Sequence, residues 1–488
     1  MTRAVVTVAL ALVVVGGTLE PRARGQELLQ QDLDRIFDDP IFDRALVGVR
    51  VESLAVPSAR PLYDRNGAKL VMPASNMKLL TLAVAAERLG WDFTYETRLE
   101  ANGPIADGTL QGDLVVVGGG DPSIGSQDLG PAALFGAWAD ALSQAGVRRV
   151  GGRLVGDDHA FDAEGLGAGW SWDYLSAGYA APSGALSYNE NVALVRVWPG
   201  KAPGDPVGVA LSPPGHLLVV TNDLTTGEPG SDVTVTLVRL PGSPHLVIHG
   251  SVPAGGGVIL RTAAVDNPTR FFVEGLRLAL AERGIAVSGG AWDIDDLAVA
   301  PAAAPRRTLA RRESPPLSAL AGYFVKVSQN LYGETLLKTL GRTATTPGTA
   351  ESGRLAVRET LSRWGIPPDS FVVYDGSGLS RYDYVTADTI VAILTHMWRD
   401  ERLRGPFVAA LPISGRDGTL EARMKGSVLD GRVQAKTGSI ANVRALSGYL
   451  ITQSGERLVF SMIANNFTAP AAEVDAVVEK ALARLADR

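Results

Sequence analysis

The stretch Pro73-Ala74-Ser75-Asn76-Met77-Lys78 stands at the head of an apolar run that continues to Leu89. Good helix formers fill the run and no Gly or Pro interrupts it, so it predicts one continuous helix. Residues three apart are neighbours on a helix surface, which places Ser75 beside Lys78. A serine in the first turn also lies at the positive end of the helix dipole. The stretch therefore predicts a serine nucleophile with a lysine base, although a capping serine and a solvated lysine would give the same pattern.

Composition and charge narrow the class of protein. The chain has 488 residues, of which 46 % are hydrophobic and 20 % charged, as is typical of globular proteins. This length predicts two or three domains. The net charge of −6 comes without a cluster of Lys and Arg, which disfavours a nucleic-acid partner. The absence of cysteine excludes disulfides, thiolate catalysis and Cys-ligated metals.

The N-terminus has the pattern of a signal peptide. Arg3 precedes an apolar run from Ala4 to Val15, and Ala23-Arg24-Gly25 offers a small-x-small cleavage site. The run is shorter than the roughly 20 residues that span a membrane, and no later segment is long and apolar enough to do so. We expect residues 1–25 to direct export to the periplasm or another extracytoplasmic compartment, with peripheral or no membrane association. An uncleaved membrane anchor is the alternative.

The regular elements predict an α+β protein with one domain split by insertions. A strand pattern at 46–54 precedes the Ser75 helix, and three strand patterns with a one-sided helix close the chain. Strands from both ends could therefore share one sheet. Asn66-Gly67 predicts a hairpin turn. Frequent Gly and Pro between short alternating segments predict mainly β insertions. We divide the mature chain into a split domain (26–94 and 306–488), a first insertion (95–160 and 265–305) and a second insertion (161–264).

Two further motifs follow the first one along the chain. Ser328-x-Asn330 lies at a break between two predicted helices, and Lys436-Thr437-Gly438 lies on a late strand. Alone, the former could cap a helix and the latter could end a strand. Together with Ser75-x-x-Lys78, in this order, they match the motif set of class A β-lactamases and penicillin-binding proteins. Here the middle motif reads Ser-Gln-Asn where that set has Ser-Asp-Asn.

The motifs suggest a division of labour in catalysis. Ser75 Oγ would attack a carbonyl and form an acyl-enzyme. Its base must be a neutral amine, and burial together with a second cation, Lys436, would lower the pKa of Lys78 from about 10.4. Ser328 would relay a proton to the leaving amine, and Asn330 would hold the substrate amide.

The late strand is expected to bind substrate. Lys436 and Thr437 would bind a terminal carboxylate, one with its charge and the other with its hydroxyl. Gly438 would let a substrate strand lie against the backbone. The backbone amides of Ser75 and Ser439 are candidates for the oxyanion hole. No cofactor or metal is expected.

On these motifs the chain resembles the D-alanyl-D-alanine carboxypeptidase/endopeptidase family, the class C low-molecular-mass penicillin-binding proteins (peptidase family S13). That family is similar in placing extra domains between its first two motifs, as the long interval from Lys78 to Ser328 allows. Gly118–Pro122, Asp375–Arg381 and Asp417–Leu420 also resemble family features. One departure is at residue 383, where an aspartate stands in place of the family's usual asparagine.

The resemblance implies a fold and an activity. It implies a serine β-lactamase/DD-peptidase-like domain, with an antiparallel sheet and helices on both sides, interrupted by mainly β inserted domains. It implies cleavage of D-Ala-D-Ala stem peptides or cross-links in peptidoglycan, with β-lactams such as penicillin acting as covalent inhibitors. The balance between carboxypeptidase and endopeptidase action and the oligomeric state stay open.

Other readings compete with this one. A serine β-lactamase would need a glutamate for deacylation, and Glu334 follows Asn330 too closely to take that role. A non-catalytic cell-wall binding protein is the alternative outside enzymes. A Ser-His-Asp hydrolase lacks its Gly-x-Ser-x-Gly elbow. A zinc site is disfavoured because His245 and His249 flank a strand and would lie about 13 Å apart.

Overall fold

The computed structural model describes residues 21–55, 61–125, 131–301 and 305–488. Most of the predicted signal peptide, residues 1–20, lies outside these ranges. The first described helix begins at Pro21, within the predicted signal segment. Among the described residues, no helix combines the length and the apolar character that a membrane span requires.

The elements fall into three successive segments. The first contains two helices and two strands: α1 (Pro21–Phe37), β1 (Leu46–Ser53), β2 (Tyr63–Arg65) and α2 (Met77–Leu89). The middle segment consists mainly of strands: β3 (Glu96–Asn102), β4 (Ile105–Ala106), β5 (Thr109–Leu110), β6 (Asp113–Val117), α3 (Pro131–Gln144), β7 (Arg149–Val150), β8 (Leu154–Asp157), β9 (Val192–Trp198), β10 (Gly208–Ser212), β11 (Val219–Gly227), β12 (Thr236–Val238), β13 (His245–Pro253), β14 (Ile259–Ala264), α4 (Pro268–Glu282), β15 (Ala286–Val287), β16 (Ala291–Asp293) and β17 (Arg307–Glu313).

The last segment is rich in helices and ends in three long strands. Its elements are α5 (Leu317–Lys326), α6 (Asn330–Gly341), α7 (Ala350–Arg363), β18 (Phe371–Val372), β19 (Tyr384–Val385), α8 (Ala387–Arg399), α9 (Glu401–Ala410), β20 (Val433–Ile440), β21 (Val443–Ile451), β22 (Arg457–Asn465) and α10 (Ala471–Ala486).

A five-stranded antiparallel sheet joins the two ends of the chain. Its order is β2-β1-β22-β21-β20, and β1 pairs with β22 in a register that sets Val49 opposite Met462. A sheet can bury the side chains on both of its faces only if helices pack on both faces. Here α1 and α10 pack on one face, and α2 with α5 to α9 pack on the other. The predicted shared sheet and the predicted fold class are confirmed.

Local structure departs from the sequence predictions at two places near the first motif. The run from Ala74 does not begin as an α-helix: residues Ala74–Asn76 form a 3-10 turn, and α2 begins at Met77. The Asn66-Gly67 turn follows β2 and does not join two strands of a hairpin, so that prediction is wrong. Asn66 instead adopts a positive φ of 54°, and its side-chain amide donates to the Val47 carbonyl at 3.0 Å.

The middle segment forms four further sheets. Two of them, β16-β8-β6-β3-β17 and β15-β7-β5-β4, pack with α3 and α4 around one core. The other two, β10-β9-β14 and β11-β13-β12, share a smaller core. Strand β17 pairs with β3, although it lies after residue 305, where the proposed division returns the chain to the first domain.

Candidate active site

Ser75 lies in a tight turn, and two glycines pack closely against the backbone of this turn. The turn begins at Ala74, whose φ of 45° is unusual for a residue with a side chain. A Cβ at Gly438 would lie 2.6 Å from the Pro73 carbonyl oxygen, and one at Gly378 would lie 1.9 Å from the Ala74 carbonyl oxygen. Both glycines therefore let neighbouring backbone approach the serine turn. For Gly438 this is a different reason from the predicted contact with a substrate strand.

Lys78 lies fully buried among three oxygen atoms. Its Nζ is 2.9 Å from Ser75 Oγ, 2.6 Å from Asn330 Oδ1 and 2.7 Å from the Ser377 carbonyl oxygen. Burial disfavours the charged form of an amine, and it lowers the pKa of Lys78 to about 7. The three motif residues Ser75, Lys78 and Asn330, which are far apart in sequence, thus meet at one amine.

Three buried carboxyl groups, those of Glu334, Asp375 and Asp383, lie close enough to Lys78 to act on its pKa. Asp375 accepts the amides of Gly378 at 2.6 Å and Ser380 at 2.7 Å. Burial, and then the charge of Asp375, raises the pKa of Glu334 to about 8. The same two causes raise the pKa of Asp383 well above its usual value. The carboxyl groups raise the pKa of Lys78 and so oppose the effect of burial, which is the larger of the two.

The break that carries Ser328 is held from the second insertion. Ser328 has a positive φ of 63° between α5 and α6. The next residue, Gln329, donates to the Glu190 carboxylate, which also accepts the Tyr323 hydroxyl. Asn330 Nδ2 donates to the Tyr179 carbonyl oxygen at 2.8 Å. The insertion therefore contributes directly to the geometry of the middle motif.

Strand β20 places its motif residues in different surroundings. Lys436 is fully buried, and its Nζ donates to the Thr437 carbonyl oxygen at 2.8 Å. Burial, and then the charge of Lys78, lowers the pKa of Lys436 well below its usual value. Thr437 Oγ1 donates to Thr419 Oγ1 at 2.8 Å. Ser439 is exposed.

A cleft of about 510 Å³ opens above the serine. Four of the predicted site residues line it, namely Ser75, Ser328, Asn330 and Ser439. The other four, Lys78, Lys436, Thr437 and Gly438, lie beneath or beside its lining. Gly378 and Leu379 also line the cleft and belong to Asp375–Arg381, the stretch that resembles a family feature. Sequence reasoning did not single out the remaining lining residues: Tyr174, Tyr179, Ile440, Ala441 and Arg444. The two tyrosines come from the second insertion, and nothing in their local sequence indicates a site.

The model of the D-Ala-D-Ala carboxypeptidase 3 (S13) family matches residues 29–488. The chain belongs to this family. It is 35 % identical over 459 residues to the D-alanyl-D-alanine carboxypeptidase of Actinomadura sp. (strain R39), covering 91 % of this chain and 82 % of that protein. It is 26 % identical over 410 residues to the D-alanyl-D-alanine carboxypeptidase DacB of Haemophilus influenzae, covering 83 % of each chain.

Solved structures agree with the assignment. The crystal structure of penicillin binding protein 4 (dacB) from Haemophilus influenzae is similar with a TM-score of 0.81 and 25 % identity, over 93 % of this chain and 98 % of that one. A penicillin G acylated predatory endopeptidase from Bdellovibrio bacteriovorus shares the fold, with a TM-score of 0.50 and 14 % identity over 90 % of this chain and 91 % of that one. The predicted family, fold and enzyme class, a serine D-alanyl-D-alanine carboxypeptidase, are confirmed.

Proposed function

We propose that this carboxypeptidase cleaves the D-Ala-D-Ala end of peptidoglycan stem peptides through an acyl-enzyme on Ser75, with Lys78 as the general base. The observation that carries the proposal is the contact of 2.9 Å between Lys78 Nζ and Ser75 Oγ in a fully buried setting. A neutral amine has two N–H donors and one lone pair. Donation to Asn330 and Ser377 leaves that lone pair for the Ser75 hydroxyl proton.

The reaction follows from these contacts. Ser75 Oγ forms a bond to the carbonyl carbon as its proton passes to Lys78. The backbone amides of Ser75 and Ser439 stabilise the oxyanion. Ser328, which lines the same cleft, relays the proton from Lys78 to the leaving amine as the C–N bond breaks, while Asn330 holds the substrate amide. Water then hydrolyses the ester and releases the shortened peptide.

Residues of β20 complete the proposed site. Lys436 lies beneath the cleft as a second buried amine, and burial, together with the charge of Lys78, lowers its pKa. The lowered pKa of Lys78 comes from burial and not from the charge of Lys436, which the sequence had suggested as a second cause.

The Ser439 hydroxyl, which lines the cleft, donates to the terminal carboxylate of the substrate. The Thr437 hydroxyl joins it on turning away from Thr419. Gly438 has no side chain, so the turn that carries Ser75 can pack closely against β20.

We propose that β-lactams acylate Ser75 and remain bound as covalent inhibitors. A β-lactamase of class A hydrolyses its adduct with a glutamate. Among the described residues that line the cleft, none is acidic, and Glu334 is buried with its pKa raised to about 8. This favours a long-lived adduct over turnover.

Incubation with benzylpenicillin followed by intact-mass measurement tests the proposal. A stable adduct that disappears in Ser75→Ala, with unfolding unchanged, is the expected result. Rapid turnover of the drug would point to a β-lactamase, and the lack of any adduct would point to a non-catalytic binding protein. Labelling retained in Ser75→Ala would remove this serine from the mechanism.

The cellular setting and the domain division belong to the same proposal. We place the enzyme in the periplasm or another extracytoplasmic space, with residues 1–25 as its signal peptide. We keep one split catalytic domain and two insertions, and move the return point from residue 305 to about 314 because β17 pairs with β3. Digestion of purified cross-linked muropeptides, with products separated by mass, would measure carboxypeptidase against endopeptidase action.

A further inference from the structure

A carboxypeptidase must recognise a free carboxylate. The residue that it removes is C-terminal, so the carbon next to the scissile nitrogen carries that group. Lys436 is a poor direct partner, because its side chain is fully buried, its Nζ is bonded to the Thr437 carbonyl oxygen, and it does not line the cleft. A positive charge that faces the leaving group would therefore come from another residue.

Arg444 on β21 has the position that this role requires. Of the described residues that line the cleft, Arg444 alone carries a charge. It lies directly opposite Ser439 in the register of β20 and β21, and directly opposed residues point to the same face of a sheet. Side chains alternate along a strand, so Thr437 and Ser439 share that face, and Lys436 points to the other one.

The side chain of Arg444 contacts two protein groups but remains partly exposed to solvent. Its Nη1 donates to Ser439 Oγ, and its Nε lies 3.7 Å from the carboxylate of Asp475 on α10. The side chain keeps 24 % of its surface exposed. A guanidinium stays charged and offers a planar fork of donors that matches a carboxylate. One nitrogen of the Arg444 guanidinium is thus hydrogen-bonded to Ser439, while the side chain remains accessible from the cleft.

We propose that Arg444, together with the Ser439 hydroxyl, binds the carboxylate of the C-terminal residue that is cleaved. The inference rests on the proposed acylation of Ser75. It makes Arg444 a substrate-binding residue that selects a free carboxyl terminus, and it does not require a direct contact between Lys436 and the substrate.

The test compares two substrates, diacetyl-L-Lys-D-Ala-D-Ala and the same peptide ending in a carboxamide. In Arg444→Ala we expect kcat/KM for the free acid to fall about 10- to 100-fold, the range for loss of a hydrogen bond to a charged group. For the carboxamide we expect a change of less than about threefold. Arg444→Lys, which keeps the charge but not the fork, should fall between wild type and Arg444→Ala for the acid.

Arg423→Ala is the matched control. Arg423 also pairs with Asp475, at 3.3 Å, but it does not line the cleft. It should leave the preference for the acid over the carboxamide unchanged. If the carboxamide is too poor a substrate for the wild type, acylation by benzylpenicillin and by its methyl ester makes the same comparison.

An equal loss for both members of a pair, or no loss for either, would overturn the inference while the proposed function stands. Thermal unfolding of each variant separates a folding defect from a binding defect. A wild-type protein that neither cleaves the peptide nor forms an adduct on Ser75 would instead refute the proposed function, and the inference with it.

Discussion

At Lys78 an amine that is ordinarily protonated is enclosed without solvent access and surrounded by three oxygen atoms. Burial lowers its pKa, while Asp375, Glu334 and Asp383 raise it. The resulting value of about 7 is close to the pH at which a general base is most effective. The position of Lys78 three residues after Ser75 was predictable, but the balance between burial and the carboxyl groups was not.

The pKa of Lys78 leads to a pH prediction. The neutral base is populated above about pH 7, so the rate of Ser75 acylation by benzylpenicillin should rise with pH through that value and level off above it. Below it, the rate should fall about tenfold per pH unit. Intact-mass time courses between about pH 5.5 and 9 measure the profile. A flat profile would contradict Lys78 as the base.

Two variants control this experiment. Lys78→Arg should lose at least about 100-fold in acylation at every pH, because the guanidinium remains protonated. Asp375→Asn removes the charge that raises the pKa of Lys78 most, so it should move the midpoint of the profile to lower pH. A shift to higher pH would show that the carboxyl cluster acts differently.

Asp383 leads to a prediction about stability. Its Oδ1 accepts the Tyr374 amide at 2.6 Å, and burial beside Asp375 raises its folded pKa well above 3.8. Between these two pKa values the unfolded chain has lost the proton that the folded chain keeps, so wild-type stability falls as pH rises. Asp383→Asn has no proton to lose and should be increasingly more stable than wild type as pH rises above about 4. Urea unfolding at pH 5, 7 and 8.5 measures the difference. Parallel curves would contradict a protonated Asp383.

Among the helices and strands, the spacing of apolar residues predicted most elements correctly. The local backbone conformation, such as the 3-10 turn at Ala74–Asn76, was not predicted. The strands of the central sheet and nearly all helices of the last segment follow their apolar patterns. Helix α9 was missed because Gly405 and Pro406 lie within it and weaken the helix signal. It forms because Leu403 and Phe407 are buried in the same core as α2, so tertiary packing outweighs the local preference.

The closely packed serine turn gives a prediction at this scale. In Gly438→Ala the new methyl would meet the Pro73 carbonyl oxygen at 2.6 Å, a backbone atom that cannot move without shifting the turn. We expect acylation of Ser75 to fall at least about tenfold and the free energy of unfolding to fall by about 1–3 kcal/mol.

Gly405→Ala is the control for this substitution. A Cβ there meets nothing within 4 Å, and Ala is the better residue inside a helix. This variant should acylate at the wild-type rate and be at least as stable. If Gly438→Ala acylates normally, the glycine is not required to seat the serine turn.

At the scale of the whole molecule, the second insertion forms part of the active site. Trp170 Nε1 donates to Asp375 Oδ2 at 2.8 Å, and Ser380 Oγ donates to the Ala168 carbonyl oxygen at 2.6 Å. Tyr179 and Glu190 hold the middle motif from the same side. The insertion that looked separate in sequence therefore supports the buried carboxyl cluster and one wall of the cleft.

Replacement of Trp170 tests this support. Trp170→Phe keeps an aromatic ring but removes the donor to Asp375, so the free energy of unfolding should fall by about 1–3 kcal/mol. The pKa of Lys78, and with it the midpoint of the acylation profile, should move upward because Asp375 becomes less well compensated. Chemical unfolding and the pH profile measure the two effects.

Trp172→Phe is the matched control, since Trp172 is close in sequence but 74 % exposed. It should change neither measurement. A loss of stability in Trp170→Phe without any change in the pH profile would limit Trp170 to a packing role.

The sequence by itself determined the three motifs, their order, and a sheet shared by the two ends of the chain. These follow from spacing and period, which are local properties of a helix or strand. Tertiary structure alone decided that Lys436 is buried, that three carboxyl groups lie behind Lys78, and that Arg444 faces the cleft. Burial and contact between distant residues depend on how separate segments pack, and no local pattern specifies that packing.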